Sequence, residues 1–277
     1  MKKLLFLLFF TLAFMGAKLA AQSAPPAGGA QSQTAGRRPR QAKTQQEFKD
    51  YNTAYAISGG TEMEKAANDF ALKYPESELR PYLYAKAMHE YQNENNSAKM
   101  LATGEKVLQV DPDNSVALVL TATVLADNLN DGDQDRQQKI DEIKKNSGRA
   151  LQTMDSAFVS PANFTPEQIA AYKSTLQSMA HSALGIMALK SGDDASAEKE
   201  LKAAAGLNAA TPDPYVWYHL ALAQDHQKKY DEALVSINQV LQHTSSNAEL
   251  GRLAQGERER LLVLTKTGPA PQPQPPK

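Results

Sequence analysis

The stretch PDPYVWYHLALAQDHQKKYDEALVSINQVLQH, residues 212–243, decides how this chain is read. In its second half Ala233, Leu234, Ile237, Val240 and Leu241 fall at i, i+1, i+4, i+7 and i+8, a single face of an α-helix. A face of that kind must be covered by a neighbour. Trp217 and the Leu220–Ala221 pair come before it and Tyr230 opens it, so the stretch reads as a helical hairpin.

The spacing of Trp217, Leu220–Ala221, Tyr230, Ala233, Ile237 and Val240–Leu241 resembles the tetratricopeptide repeat. Ala221 stands where that family usually has Gly, Gln224 where the first helix carries Tyr, and no Pro follows His243. The same spacings recur upstream, which makes the chain an array. His181, Leu184–Gly185, Ala197, Leu201 and Ala204–Ala205 form one unit around a Ser191-Gly192-Asp193 turn. Tyr84, Ala87–Met88 and Tyr91 open an earlier one, which closes at Val107–Leu108, Val110 and an Asp111–Pro112 stop. Leu118, Thr121–Ala122 and Leu125 begin a unit whose second helix is expected only at Ala150, Met154 and Ala157–Phe158, after an insertion at 128–148. A degenerate first unit runs from Gln45 to Pro75. Two further helices are expected: one opening at Thr165, with Pro166 in its first turn, and one over 247–264 that closes the array. The resemblance covers most of residues 45–243. It implies an all-α, right-handed solenoid of antiparallel helix pairs, about five units plus the closing helix.

The termini read differently. Met1-Lys2-Lys3, an apolar run from Leu4 to Met15 and small residues up to Ala21 have the pattern of a signal peptide over 1–21. The apolar run is shorter than the ~20 residues of a spanning helix, although Leu19 is bulky for a cleavage site and leaves an uncleaved N-terminal anchor as the alternative. Residues 22–43 read as a disordered linker with Arg37, Arg38 and Arg40 as solvated charge, or as a peripheral contact to a membrane or cell wall. The helical domain spans 44–266, and 267–277 form a disordered Pro-rich tail. The expected location is exported and periplasmic, or anchored facing the periplasm. Without cysteine there is no disulfide, thiol nucleophile or lipoprotein signal. The 30 basic residues, less Lys2, Lys3 and Lys18 of the leader, are outnumbered by the 31 acidic ones, so nucleic-acid binding is not indicated.

Chemistry is scarce. The sequence has no P-loop, no dinucleotide Gly fingerprint, no His-Glu-x-x-His helix and no G-x-S-x-G elbow. No cofactor and no enzyme activity is expected. His219, His226 and Asp225 could form a minimal metal-ligand set, but two histidines and one carboxylate are better read as groove or surface polar residues, and no metal site is expected. In the acidic run 127–135, Gly132 suits a calcium loop, whereas Leu129 takes a ligand position and Gln138 stands where the bidentate Glu belongs. A turn whose Asp133 and Asp135 lead into the next helix accounts for it better.

What the resemblance implies instead is a concave groove lined by first helices. Matched onto this sequence, the family's groove positions are Tyr215, Tyr218, Leu222, Asp225 and His226 in the last unit. They are Met179, Ser182, Ile186, Leu189 and Lys190 in the unit before, and Tyr82, Ala85, His89, Gln92 and Asn93 in the early one. Aromatic and aliphatic lining suits an apolar peptide or helix. Carboxylate-clamping residues are mostly missing, with only Lys86 near a comparable place. The function expected is a non-catalytic protein–protein interaction scaffold of the cell envelope, with an envelope polymer- or metal-binding module as the alternative. Protein recovered from the envelope is predicted to begin at or near Gln22, read by N-terminal sequencing; an intact Met1 in the cytoplasm would refute export.

Overall fold

The computed structural model describes residues 37–38, 40–160, 164–208 and 212–267; the leader, most of the linker and the tail lie outside them. Eleven helices are found there and no strand: α1 Gln45–Tyr55, α2 Gly60–Lys73, α3 Arg80–Asn93, α4 Ser97–Val110, α5 Ser115–Asp127, α6 Arg136–Ala157, α7 Pro166–Lys190, α8 Asp194–Leu207, α9 Pro214–His226, α10 Tyr230–His243 and α11 Glu249–Thr267. They follow one another as five pairs and a closing helix, the all-α tetratricopeptide-like pairing expected. The chain divides into two compact units, one within residues 1–124 and 145–176, the other within 125–144 and 177–277. Helices α5, α6 and α7 contribute residues to both.

Three of the pair turns share one backbone solution. Asn95, Gly192 and Lys228 each take positive φ, at 55°, 75° and 63°. The next amide then donates back across the helix end: Asn96 to the Tyr91 carbonyl at 2.9 Å, Asp193 to Ala188 at 3.0 Å and Lys229 to Gln224 at 2.9 Å. These are the long-range bonds that satisfy the last carbonyls of a helix closed by a left-handed residue. Asn96 and Asp193 then cap the second helices, accepting from Lys99 N and Ser196 N. Gly192 meets the requirement freely, and a Lys at 228 meets it at a steric cost.

Two expectations about boundaries need correction. The insertion at 128–148 is not a separate segment before the second helix: after a loop at 128–135, α6 opens at Arg136 and runs unbroken to Ala157, so most of the extra length is helical. Its buried Ile140, Ile143, Ser147, Ala150 and Met154 keep helical spacing throughout. Likewise the helix starting at Thr165 and the first helix of the His181 unit are one, the 25-residue α7. Its start is a reciprocal capping box, Thr165 Oγ1 accepting from Gln168 N at 3.3 Å and Gln168 Oε1 from Thr165 N at 2.8 Å.

The departures from the repeat pattern also have physical reasons. Gln224 is 3% exposed and accepts a hydrogen bond from Ser236 Oγ at 2.7 Å, joining α9 to α10 where an aromatic ring would otherwise pack. Ala221 is fully buried with Ala233, Ile237 and Val240. At the Asp111–Pro112 stop, α4 ends at Val110 as expected.

Each of two second helices carries a carboxylate at the same place, four residues after its start: Glu64 in α2 and Glu198 in α8. Glu64 accepts from Lys106 at 2.7 Å, Tyr91 at 2.6 Å and Lys99 at 3.2 Å, tying α2 to α3 and α4. Glu198 accepts from Lys202 at 2.6 Å, Lys229 at 2.6 Å and Gln227 at 2.9 Å, tying α8 to the α9–α10 turn. Burial pushes both carboxyls up, but these hydrogen bonds outweigh it and hold each at about 2. Because the folded values lie below the unfolded ~4.3, the stabilisation is complete above that pH and is lost as pH falls towards 2. The melting temperature of the wild type should therefore drop more steeply between pH ~4.5 and ~2.5 than that of Glu64→Gln/Glu198→Gln. Parallel curves would show that the two staples contribute nothing.

Candidate functional site

Helix α9 carries five of the expected site residues. Asp213 caps it by accepting from Tyr215 N at 2.9 Å, and Pro214 occupies the first turn. This fixes the helix start and with it the rotation of every side chain that follows. Tyr215, Trp217 and Tyr218 are half-buried against a cluster of Ala221, Ile237, Val240, Leu250, Ala254 and Leu261. The indole Nε1 of Trp217 has no hydrogen-bond partner among the described residues.

The closing helix α11 borders this face. Burial, with the nearby charges of Asp213 and Glu249, pushes the Tyr215 hydroxyl up to about 12. Burial and Glu257 raise Tyr218 in the same direction. Asp225 pairs with Arg260 at 2.5 Å, and Arg260 also forks onto Glu257 at 2.6 and 3.1 Å. Arg260 thus contacts Asp225, and the charges of Glu249 and Glu257 act on Tyr215 and Tyr218, in the same order along both helices. α11 runs in the direction of α9, as the first helix of a further unit would. Sequence reading missed Arg260 because its partner lies outside its own repeat.

Asp225 and His226 do not act together. His226 is exposed and turns the other way, with Nδ1 2.9 Å from Asp194 Oδ1 at the start of α8. His219 Nδ1 sits 2.9 Å from the Tyr215 carbonyl, and burial lowers the ring to about 4, which keeps it neutral at physiological pH. The three candidate metal ligands therefore have three separate partners, and the described residues hold no group of three potential ligands. Leu222 is half-buried on the same helix.

On α7, Met179, Ser182 and Leu189 are half-buried, and Ile186 is core at 6% exposure. Lys190 is removed from any groove: its ammonium donates to the Ala126 and Asp127 carbonyls at 2.8 and 2.6 Å, capping α5, and burial lowers its proton affinity. The acidic loop is internally neutralised. Asp133 pairs with Lys139 at 2.9 Å and accepts from Asn130 N at 2.9 Å, Asp135 pairs with Lys139 at 3.0 Å, and Asp131 with Arg136 at 3.4 Å. These are the contacts of a turn leading into α6.

On α3, in the other unit, His89 Nδ1 lies 3.4 Å from Gln92 Oε1. Lys86 donates to the Ile57 carbonyl and to Glu90 at 3.3 Å, and sits 5.5 Å from the Tyr55 ring centre, so it has no charge to spare for a partner's carboxylate. Tyr82 packs on the core of its unit, and burial raises its hydroxyl while the nearby Arg40 lowers it. The arginines read as solvated charge are in fact docked: Arg37 on Asp111 and Asp113, Arg38 on Glu78, Arg40 on Asp111. These pairs span up to 76 residues of sequence, a distance at which no local pattern announces them.

No protein-family profile and no curated protein matches the chain. Among solved structures, a thermophilic TPR protein of Thermus thermophilus aligns with 79% of this chain and 100% of its own length, at 13% identity and a TM-score of 0.43. The repeat assignment rests on the helix pairs, turns and caps themselves.

Proposed function

We propose that this chain is a non-catalytic protein–protein interaction scaffold, exported to the cell envelope, that holds a peptide or helix of a partner against the first-helix face of α9. The observation that carries the reading is the pair Tyr215 and Tyr218. They lie three residues apart on one helical face, each ring half-buried on a rigid cluster and half-open. Rings anchored at one side lose little entropy on contact, and a partly open hydroxyl-bearing face takes both apolar and polar neighbours. Leu222 extends the apolar strip by one turn, and the Asp225–Arg260–Glu257 network gives it a charged border. Export rests on the leader at 1–21. Among the described residues no helix is long and apolar enough to cross a membrane.

The test begins with a partner purified from the native envelope and titrated against the intact chain. Tyr215→Ser/Tyr218→Ser is expected to weaken it by at least ~2 kcal/mol, the scale of an interface hot spot, with helicity and cooperative unfolding retained. Loss of folding would reassign the pair to the core. Undiminished binding would leave the α9 face without a role.

A further inference from the structure

We propose that the segment carrying Arg37, Arg38 and Arg40 is a releasable strap: a built-in ligand whose arginines occupy an acidic notch formed by Glu78, Asp111 and Asp113 and which masks the Tyr82 end of α3. The masking role rests on the reading of first-helix faces as the binding surface; the docking itself does not.

The notch is built around Asp111. This carboxylate sits at the C-cap of α4, with its side chain only 3% exposed. It takes Arg37 on one oxygen at 2.7 Å and Arg40 on the other at 2.5 Å, and Asn114 Nδ2 donates to it at 3.1 Å. Among the described residues its ion pairs come from the strap alone, since the nearby Arg149 is committed to Asp113 at 2.6 Å. A buried carboxylate without a cation is costly, whereas one with two guanidinium groups and an amide is satisfied. With the arginines docked the carboxylate is both shielded from water and fully paired, and the chain delivers them from a segment more than seventy residues away.

The contacts follow guanidinium geometry. Arg37 spreads its two terminal nitrogens over Asp111 and Asp113, at 2.7 and 2.8 Å. Arg38 forks onto both oxygens of Glu78 at 3.0 and 2.6 Å. A lysine offers one point charge and could reproduce neither fork. The Gln41 amide adds a longer contact to Glu78 at 3.4 Å, and Ala42 packs on the core just before α1 begins. Tyr82 packs on the same core cluster as Ala42 and lies close enough to Arg40 to feel its charge.

What makes the strap releasable is the exposure of its outer half. Arg38 and Glu78 are 67% and 37% exposed, and Arg37 is 39% exposed. Salt screens such pairs strongly, whereas Arg40, only 16% exposed, and Ala42 hold the inner end. Peeling starts at Arg38 and reaches Asp111 last.

Two measurements test this on the full chain. In the first, trypsin cleavage at Arg40–Gln41 in the wild type is timed at low and at high salt. The strap predicts protection at low salt and a rate at least ~10-fold higher when the pairs are screened; a rate independent of salt would overturn it. In the second, a labelled peptide with the sequence of residues 34–44 is titrated at low salt against the wild type and Arg37→Gln/Arg38→Gln/Arg40→Gln. The emptied variant should bind it and the wild type at least ~10-fold more weakly, because the tethered copy competes at high effective concentration. Adding Asp111→Asn to the emptied variant should abolish binding. Equal binding to both proteins, or none to the emptied one, would overturn the proposal. Neither measurement involves Tyr215 or Tyr218, so failure here and failure of the scaffold reading are separable.

Discussion

In each well-matched helix pair, one position of the first helix meets one position of the second so closely that their combined bulk is constrained. In α7 and α8 the small partner is on the first helix: a Cβ added to Gly185 would lie 2.5 Å from Leu201 Cγ. In α3 and α4 the sizes are exchanged. Met88 occupies the first helix and Gly104 the second, where an added Cβ would meet Met88 Cε at 3.1 Å and Thr121 Cγ2 at 2.5 Å. In α9 and α10 Ala221 faces Ala233 and Ile237, all fully buried. Close approach lets the apolar faces bury each other without voids, at densities like those of organic crystals. The rotation of each first helix, and hence which residues face outward, follows from that contact.

That constraint explains how far sequence reading reaches. The α9–α10 pair was legible because every buried position except Gln224 carries an apolar or small residue at helical spacing, with no charge interrupting it. The start of α6 was not. Ile140 and Ile143 repeat correctly, yet Arg, Lys, Asp, Glu and Gln crowd the other faces, and the adjoining Asn130-Asp131-Gly132 turn invites reading the whole span as a loop. The sequence divides α7 because a repeat of standard length puts the start of the His181 unit near Ser178, well after the helix opening at Thr165. No Gly or Pro stands there, and Ser178 donates to the Ala204 carbonyl from mid-helix rather than capping a helix start.

The surface is where local pattern says least. Tyr215 and Tyr218 were identifiable by position in the repeat. Their actual setting depends on α11, whose Glu249, Glu257 and Arg260 are met only in three dimensions. Lys86 and Lys190 look available in the sequence, but both donate to backbone carbonyls. The arginines of residues 37–40 look solvated and are engaged. A side chain's charge can be read from its identity, whereas its commitments depend on the fold.

The close helix contact can be tested by the sign of one substitution. At an open helical position Gly→Ala should stabilise by ~0.5–1 kcal/mol, since Ala has the better helix propensity. Gly256, in α11, has nothing within 4 Å of an added Cβ and serves as that reference. Gly185 meets Leu201, including its backbone N at 3.3 Å. Gly185→Ala is predicted to destabilise by ~1–3 kcal/mol through overpacking, in chemical denaturation alongside a stabilised Gly256→Ala. Stabilisation of both variants by a similar amount would contradict the account.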